Sequence, residues 1–99
     1  MNIPKRVKIG GKVYRVEITQ NLELGMNYGA EISEAKAEIK VRPNEEATMN
    51  TAFLHELFHG MHYFLGYYEH EEKKIDELAN ALYMVIQDNP RIFTNGDNR

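Results

Sequence analysis

Apolar and polar residues alternate along the first 42 residues, which is the pattern of half-buried strands. The alternation forms two runs separated by Gly10-Gly11, and a glycine pair accepts the positive φ angles of a tight turn. This predicts a first β-hairpin. A loop over residues 21–29 follows, and renewed alternation predicts a second hairpin formed by Tyr28–Ser33 and Ala37–Arg42. The apolar residues of the first two runs are Val7, Ile9, Val13, Tyr14, Val16 and Ile18.

The pattern changes to helical spacing after Pro43, which cannot donate to a strand ladder and closes the last strand. Two helices are expected, over about residues 45–65 and 71–88, with Asn44 as the first N-cap and Gly66 as the first stop. Strands followed by helices predict an α+β fold, with a small twisted antiparallel sheet of three or four strands in two hairpins. We expect residues 1–99 to form one compact domain with a frayed tail at 94–99.

The composition is that of an ordinary globular protein, with 42% hydrophobic and 27% charged residues among 99. The formal net charge is −3, so we expect no nucleic-acid partner and interpret the basic residues near the start as a solvated strand face. No apolar segment has the length of a signal peptide or a membrane span, so no membrane association and a cytoplasmic location are expected. Cysteine is absent, which excludes a disulfide scaffold, a thiolate nucleophile and a cysteine-type zinc site.

The chemistry is concentrated in the predicted first helix, where His55-Glu56-Leu57-Phe58-His59 forms an H-E-x-x-H motif. Residues four apart lie on one face of a helix, so both imidazoles can bind one divalent ion. Glu56 then lies beside the ion, where a carboxylate can take a proton from an attacking water. Burying these polar residues in an apolar segment without a partner is costly, so the pattern favours a metal site over a core helix. The predicted cofactor is Zn²⁺.

A catalytic zinc ion needs a third protein ligand, and several residues qualify. At about 100° per residue, Asp76 lies on the shoulder of the apolar face of the second helix and Glu77 points away from it. Asp76 is therefore favoured, with Glu77 and the loop residue His70 as alternatives. His62 lies about 10.5 Å from His55 along a straight helix, which favours a cleft neighbour over a ligand.

The H-E-x-x-H segment, followed by Asp76-Glu77-Leu78-Ala79-Asn80, resembles the gluzincin metallopeptidases over about residues 48–90. In these proteins the second motif is an acid, two variable residues, a small residue and then Asn or Asp. The chain is similar in particular to the short minigluzincins and to phage and prophage proteins near the ImmA/IrrE-type metallopeptidases.

The resemblance implies that His55 and His59 bind zinc, that Glu56 is the general base or acid, and that Asp76 stands where the family has a glutamate ligand. It also implies a small sheet packed on the active-site helix. The edge strand of that sheet, here Ala37–Val41, would bind a peptide or protein substrate in extended form.

These observations predict a zinc-dependent metallopeptidase of phage or prophage type, acting in the cytoplasm of a bacterial or phage-infected cell. Candidates for an oxyanion donor or cleft residue are His62, Tyr63 and Tyr83. The alternative is a metal-stabilised, degenerate or latent form of the fold that holds a protein partner without cleaving it, because two helices and a few strands form only half of a two-lobed cleft. Latency would follow if the tail of residues 91–99 lay in the cleft.

Overall fold

The computed structural model describes residues 1–94, in which a four-stranded sheet precedes two helices. The predicted α+β fold is confirmed, and each helix begins one residue later than expected. Fraying was expected for residues 94–99, and residues 95–99 lie outside the part of the chain that the structure describes. The elements are β1 (Arg6–Ile9), β2 (Lys12–Ile18), β3 (Ala30–Ser33), β4 (Glu38–Val41), α1 (Glu46–Leu65) and α2 (Glu72–Asp88).

Both predicted hairpins are present. β1 pairs with β2 in the antiparallel sense, and the two residues between them, Gly10 and Gly11, have φ angles of 58° and 87°. Such a turn matches the twist of the flanking strands, and glycine adopts its positive φ angles without steric cost. β3 pairs with β4 in the same antiparallel sense, with Ile32 opposite Ile39.

The two hairpins join through a parallel pair of strands. The sheet is therefore mixed, whereas the sequence predicted an entirely antiparallel sheet. The strand order is β1-β2-β4-β3, and Val16 of β2 lies opposite Ile39 of β4. β4 takes an interior position, and its Ile39 and Val41 are completely buried because they lie in the core beneath Phe53 of α1. The alternation along a strand fixes which face is buried but carries no information on the direction of its neighbour.

The edges of the sheet are therefore β1 and β3. The expectation that Ala37–Val41 forms a substrate-binding edge is wrong, because β4 is paired on both sides. Both edge strands contact α1, and β3 is the one that lines a cavity together with His55 and His59 of that helix.

Helix α1 covers one face of the sheet, and the other face carries charged side chains such as Arg15, Glu38 and Lys40. The close approach depends on Gly60, since a Cβ atom there would lie 2.6 Å from Cδ1 of Ile9 and 3.3 Å from Cδ1 of Ile32. Gly66 ends α1 with a φ angle of 85°, as predicted, while Glu45 and not Asn44 occupies the N-cap position. The core between sheet and helix consists of Tyr14, Ala30, Ile39, Val41 and Phe53.

Helix α2 packs on α1 and, among the described elements, on no other. Its buried residues are Ile75 and Ala79, which belong to the apolar face that the sequence predicts. This packing brings the first turn of α2 against the middle of α1. No helix within residues 1–94 is long and apolar enough to cross a membrane.

The connection between β2 and β3 is an irregular loop that Arg42 holds in place. The guanidinium group of Arg42 donates hydrogen bonds to the carbonyl oxygens of Gln20, Gly25 and Tyr28 at 2.8–3.0 Å. From the other side, the carboxylate of Glu31 accepts hydrogen bonds from the backbone of Glu23 and Leu24. The loop is thus fixed beside the β3 edge.

Candidate metal centre

The first two members of the site come from α1. His55 and His59 are one helical turn apart, and their Nε2 atoms lie 3.2 Å from each other. Both side chains are mostly buried, with 19% and 12% of their surface exposed. The H-E-x-x-H spacing therefore aims both imidazoles at one point, as predicted.

The third member is Glu72, in the first turn of α2. Its Oε2 atom lies 3.1 Å from Nε2 of His55, and its Oε1 atom lies 2.7 Å from Nε2 of His59. The ligand atoms of the three residues all lie within 4.8 Å of one another, and no other such group is found in residues 1–94. Two imidazoles and one carboxylate form a donor set that suits zinc and other divalent transition metals, so the residues fit a metal ion.

Asp76, the favoured third ligand, lies elsewhere in the site and is not a member of this group. Its Oδ1 atom is 3.4 Å from Nδ1 of His55, on the side of the ring that points away from Glu72. The Nδ2 group of Asn80 donates to the backbone oxygen of Asp76 at 2.9 Å and to its Oδ2 at 3.4 Å. Asp76 thus lies beside the Nδ1 atom of His55, while Glu72 faces its Nε2 atom.

The two alternative ligands also lie outside the group. Glu77 is exposed on α2. His70 lies behind His59, with its Nδ1 atom 2.6 Å from Nδ1 of His59, so it contacts the ring on the side opposite Glu72. The Nε2 group of His70 donates to the carbonyl oxygen of Tyr67 at 2.8 Å.

Of the predicted cleft residues, two line the space around the site and one does not. Tyr83 lines a cavity of about 600 Å³ and Tyr63 lines one of about 390 Å³. His62 donates through Nδ1 to the carbonyl oxygen of Phe58 at 2.7 Å and lines neither cavity. Residues 91–94 of the tail do not line these cavities either, and the remainder of the tail lies outside the described residues.

Glu56 is a buried acid whose pKa is shifted by its surroundings. Only 7% of its surface is exposed, yet it lines both cavities together with His55 and Glu72. Burial, helped by the negative charges of Glu72 and Glu31, raises the pKa of Glu56 to about 8. A bound divalent cation would act in the opposite direction and favour the carboxylate. A carboxyl group with a pKa near neutrality is suited to proton transfer.

Burial also lowers the pKa of His59, against the opposing charge of Glu72. Burial thus favours the neutral imidazole, and a neutral imidazole is the form that binds a metal ion.

The β3 edge borders the same space. The backbone N–H of Arg42 donates to the carbonyl oxygen of Gly29 at 2.8 Å, and hydrogen-bonded pairs alternate along an antiparallel ladder. The register therefore turns the backbone N–H and C=O groups of Ala30 and Ile32 away from β4, toward the open edge. Ala30 lines both cavities and Ile32 lines the smaller one.

Glu72 is the member of the group that the sequence reasoning missed. The same helical projection that selected Asp76 contains the signal, since Glu72 lies about 75° from the centre of the apolar face of α2 and Asp76 about 115° from it. Glu72 is thus nearer the neighbouring helix. Among the acids of α2 the prediction compared Asp76 and Glu77 alone, so Glu72 was not one of its candidates.

Comparison of the chain with protein-family models, with curated proteins and with solved structures gives no match. The assignment of a function therefore depends on the residues and geometry of the site.

Proposed function

We propose that this chain is a zinc-dependent metallopeptidase in which His55, His59 and Glu72 bind the metal ion. The single observation that carries the proposal is the convergence of their ligand atoms within 4.8 Å, in a cavity that the buried Glu56 also lines. Three protein ligands that leave a position open to the cleft are typical of catalytic zinc sites, whereas structural sites are closed by four.

Each residue then has a separate task in peptide hydrolysis. When bound, zinc supplies Lewis-acid chemistry that activates water and polarises the scissile carbonyl group. Glu56, kept ionised by the bound cation, takes the proton from the attacking water and passes it to the leaving amine; it lines the same cavity as the three ligands. Asp76 orients His55 from behind.

The β3 edge would hold the substrate. The outward N–H and C=O groups of Ala30 and Ile32 can pair with an extended peptide, which adds a strand to the sheet. Such a peptide would run past His55 and Glu56, because Ala30 lines both cavities that these two residues share. This geometry favours peptides and unfolded segments over compact proteins as substrates.

The test is hydrolysis of a defined mixture of synthetic peptides by the zinc-loaded protein, with products identified by mass spectrometry. We expect Glu56→Gln to reduce turnover by about 100-fold or more while zinc binding is retained. Glu69→Gln removes an exposed acid from the loop before α2 and serves as the matched control, with turnover like that of the parent. A Glu56→Gln variant that cleaves as fast as the parent would refute the mechanism. A parent that binds zinc and cleaves no peptide would favour the alternative of a binding module.

A further inference from the structure

The side of His59 that faces away from Glu72 is held by a chain of contacts that starts at the end of α1. There, the N–H of Gly66 donates to the carbonyl oxygen of Tyr63, and the N–H of Tyr67 donates to that of His62. This pair of bonds, with Gly66 in the left-handed conformation, is the Schellman motif that closes many helices. It fixes the backbone of Tyr67.

The carbonyl oxygen of Tyr67 in turn fixes His70. A carbonyl oxygen only accepts hydrogen bonds, so the contact of 2.8 Å requires a proton on Nε2 of His70. Three rings surround that of His70, with centroid distances of 4.9 Å to His59, 5.1 Å to His62 and 4.7 Å to Tyr63. The ring is therefore held in both position and orientation.

The proton on Nε2 determines what His70 presents to His59. In a neutral imidazole one nitrogen is the donor and the other the acceptor, so Nδ1 of His70 is an acceptor. Since Nδ1 of His59 lies 2.6 Å from it, that atom is the donor. Neutral His59 then has its lone pair on Nε2, the atom that lies 2.7 Å from Glu72 and 3.2 Å from Nε2 of His55.

We propose that His70 is a positioning residue of the metal centre, which receives the Nδ1 proton of His59 and so keeps the Nε2 lone pair of His59 directed at the metal. It is not a ligand. This inference rests on the proposed metal site and deepens it. His70, in the α1–α2 loop, contacts Nδ1 of His59, and Asp76, in α2, contacts Nδ1 of His55. Each imidazole is thereby oriented through the nitrogen that does not face the metal.

The test measures the dissociation constant for zinc by competition with a chromophoric chelator. We expect His70→Leu, which keeps the bulk but has no acceptor, to weaken zinc binding by roughly 10- to 100-fold, as is usual for outer-shell partners. His70→Gln, which has both an acceptor and a donor, should recover affinity to within about fivefold of the parent. Tyr68→Leu changes an exposed residue of the same loop and should leave the affinity unchanged.

X-ray absorption of the zinc-loaded parent provides an independent count of imidazole ligands, with two expected. Three imidazoles, or zinc binding by His70→Leu within about threefold of the parent, would overturn the inference. If His70→Leu does not fold, the imidazole count and the affinity of His70→Gln decide. A parent that binds zinc but hydrolyses no peptide contradicts the proposed function and leaves the role of His70 intact. A parent that binds no zinc overturns both.

Discussion

The Oε1 atom of Glu72 lies 2.7 Å from Nε2 of His59, and this contact joins the first turn of one helix to the middle of the other. It explains why α2 contributes to the site although it packs on α1 alone among the described elements. A divalent ion placed between these groups would cross-link the two helices, so metal binding and the packing of α2 are expected to support each other.

Zinc affinity should fall by different amounts when Asp76 or Glu72 is replaced, because the two carboxylates face different atoms of the histidines. We expect Asp76→Ala to weaken zinc binding by roughly 10- to 100-fold through loss of the orientation of His55, and not to abolish it. Competition titration against a chelator measures the change. An Asp76→Ala variant without detectable zinc binding would instead identify Asp76 as a ligand, as the resemblance to the gluzincins implied.

Glu56 should make the metal-free protein less stable as the pH rises. The pKa of Glu56 is raised from 4.5 to about 8 in the folded chain, so between these values the folded state retains a proton that the unfolded state has released. The free energy of unfolding therefore falls over this range, by at most about 1.4 kcal/mol per pH unit for one group. Urea unfolding of the chelator-treated parent and of Glu56→Gln isolates this contribution. A difference in stability between them that does not change from pH 5 to pH 8, a range of roughly three units, would contradict it.

Arg42 should stabilise the loop that walls the site. We expect Arg42→Lys to lower the free energy of unfolding by about 2 kcal/mol, because a single ammonium group cannot donate to the carbonyl oxygens of Gln20, Gly25 and Tyr28 together. Arg15→Lys is the control, since its partner is Glu38 and 70% of the Arg15 side chain is exposed. Equal stabilities of the two variants in urea would show that Arg42 does not clamp the loop.

The two glycines of the first turn should differ in their tolerance of alanine. Both have positive φ angles, so each substitution costs about 1–2 kcal/mol in backbone strain. A Cβ atom at Gly10 would also overlap the ring of Phe64, while at Gly11 it would meet nothing within 4 Å. Thermal unfolding should therefore show a larger loss for Gly10→Ala than for Gly11→Ala. The opposite order would mean that the turn does not rest against the end of α1.

The sequence predicted those features that depend on local periodicity and spacing. The two hairpins, both helices and the convergence of His55 and His59 follow from alternation, helical repeat and the turn residues between them. The end of α1 at Gly66 was also predicted, because the left-handed conformation that ends many helices favours glycine.

Features that depend on how elements meet in space were not predicted. The parallel pairing of β2 with β4 places the completely buried Ile39 and Val41 in the interior of the sheet, and alternation alone does not specify this pairing. Whether Glu72 reaches the two histidines depends on the distance and rotation between the two helices. A helical projection shows only which residues face the neighbouring helix. The role of His70 depends on a loop conformation fixed by hydrogen bonds.

Zinc titration of three proteins tests most directly whether His55, His59 and Glu72 together bind one divalent ion. The parent and Glu69→Gln should each bind about one zinc ion per chain, whereas Glu72→Gln should bind at least roughly 100-fold more weakly, because an amide is a poor substitute for a carboxylate ligand. Each variant loses one negative charge, so the comparison separates ligation by Glu72 from the effect of net charge. Equal zinc affinity in Glu72→Gln and the parent, or a parent that binds no zinc, would show that these three residues do not form the metal site.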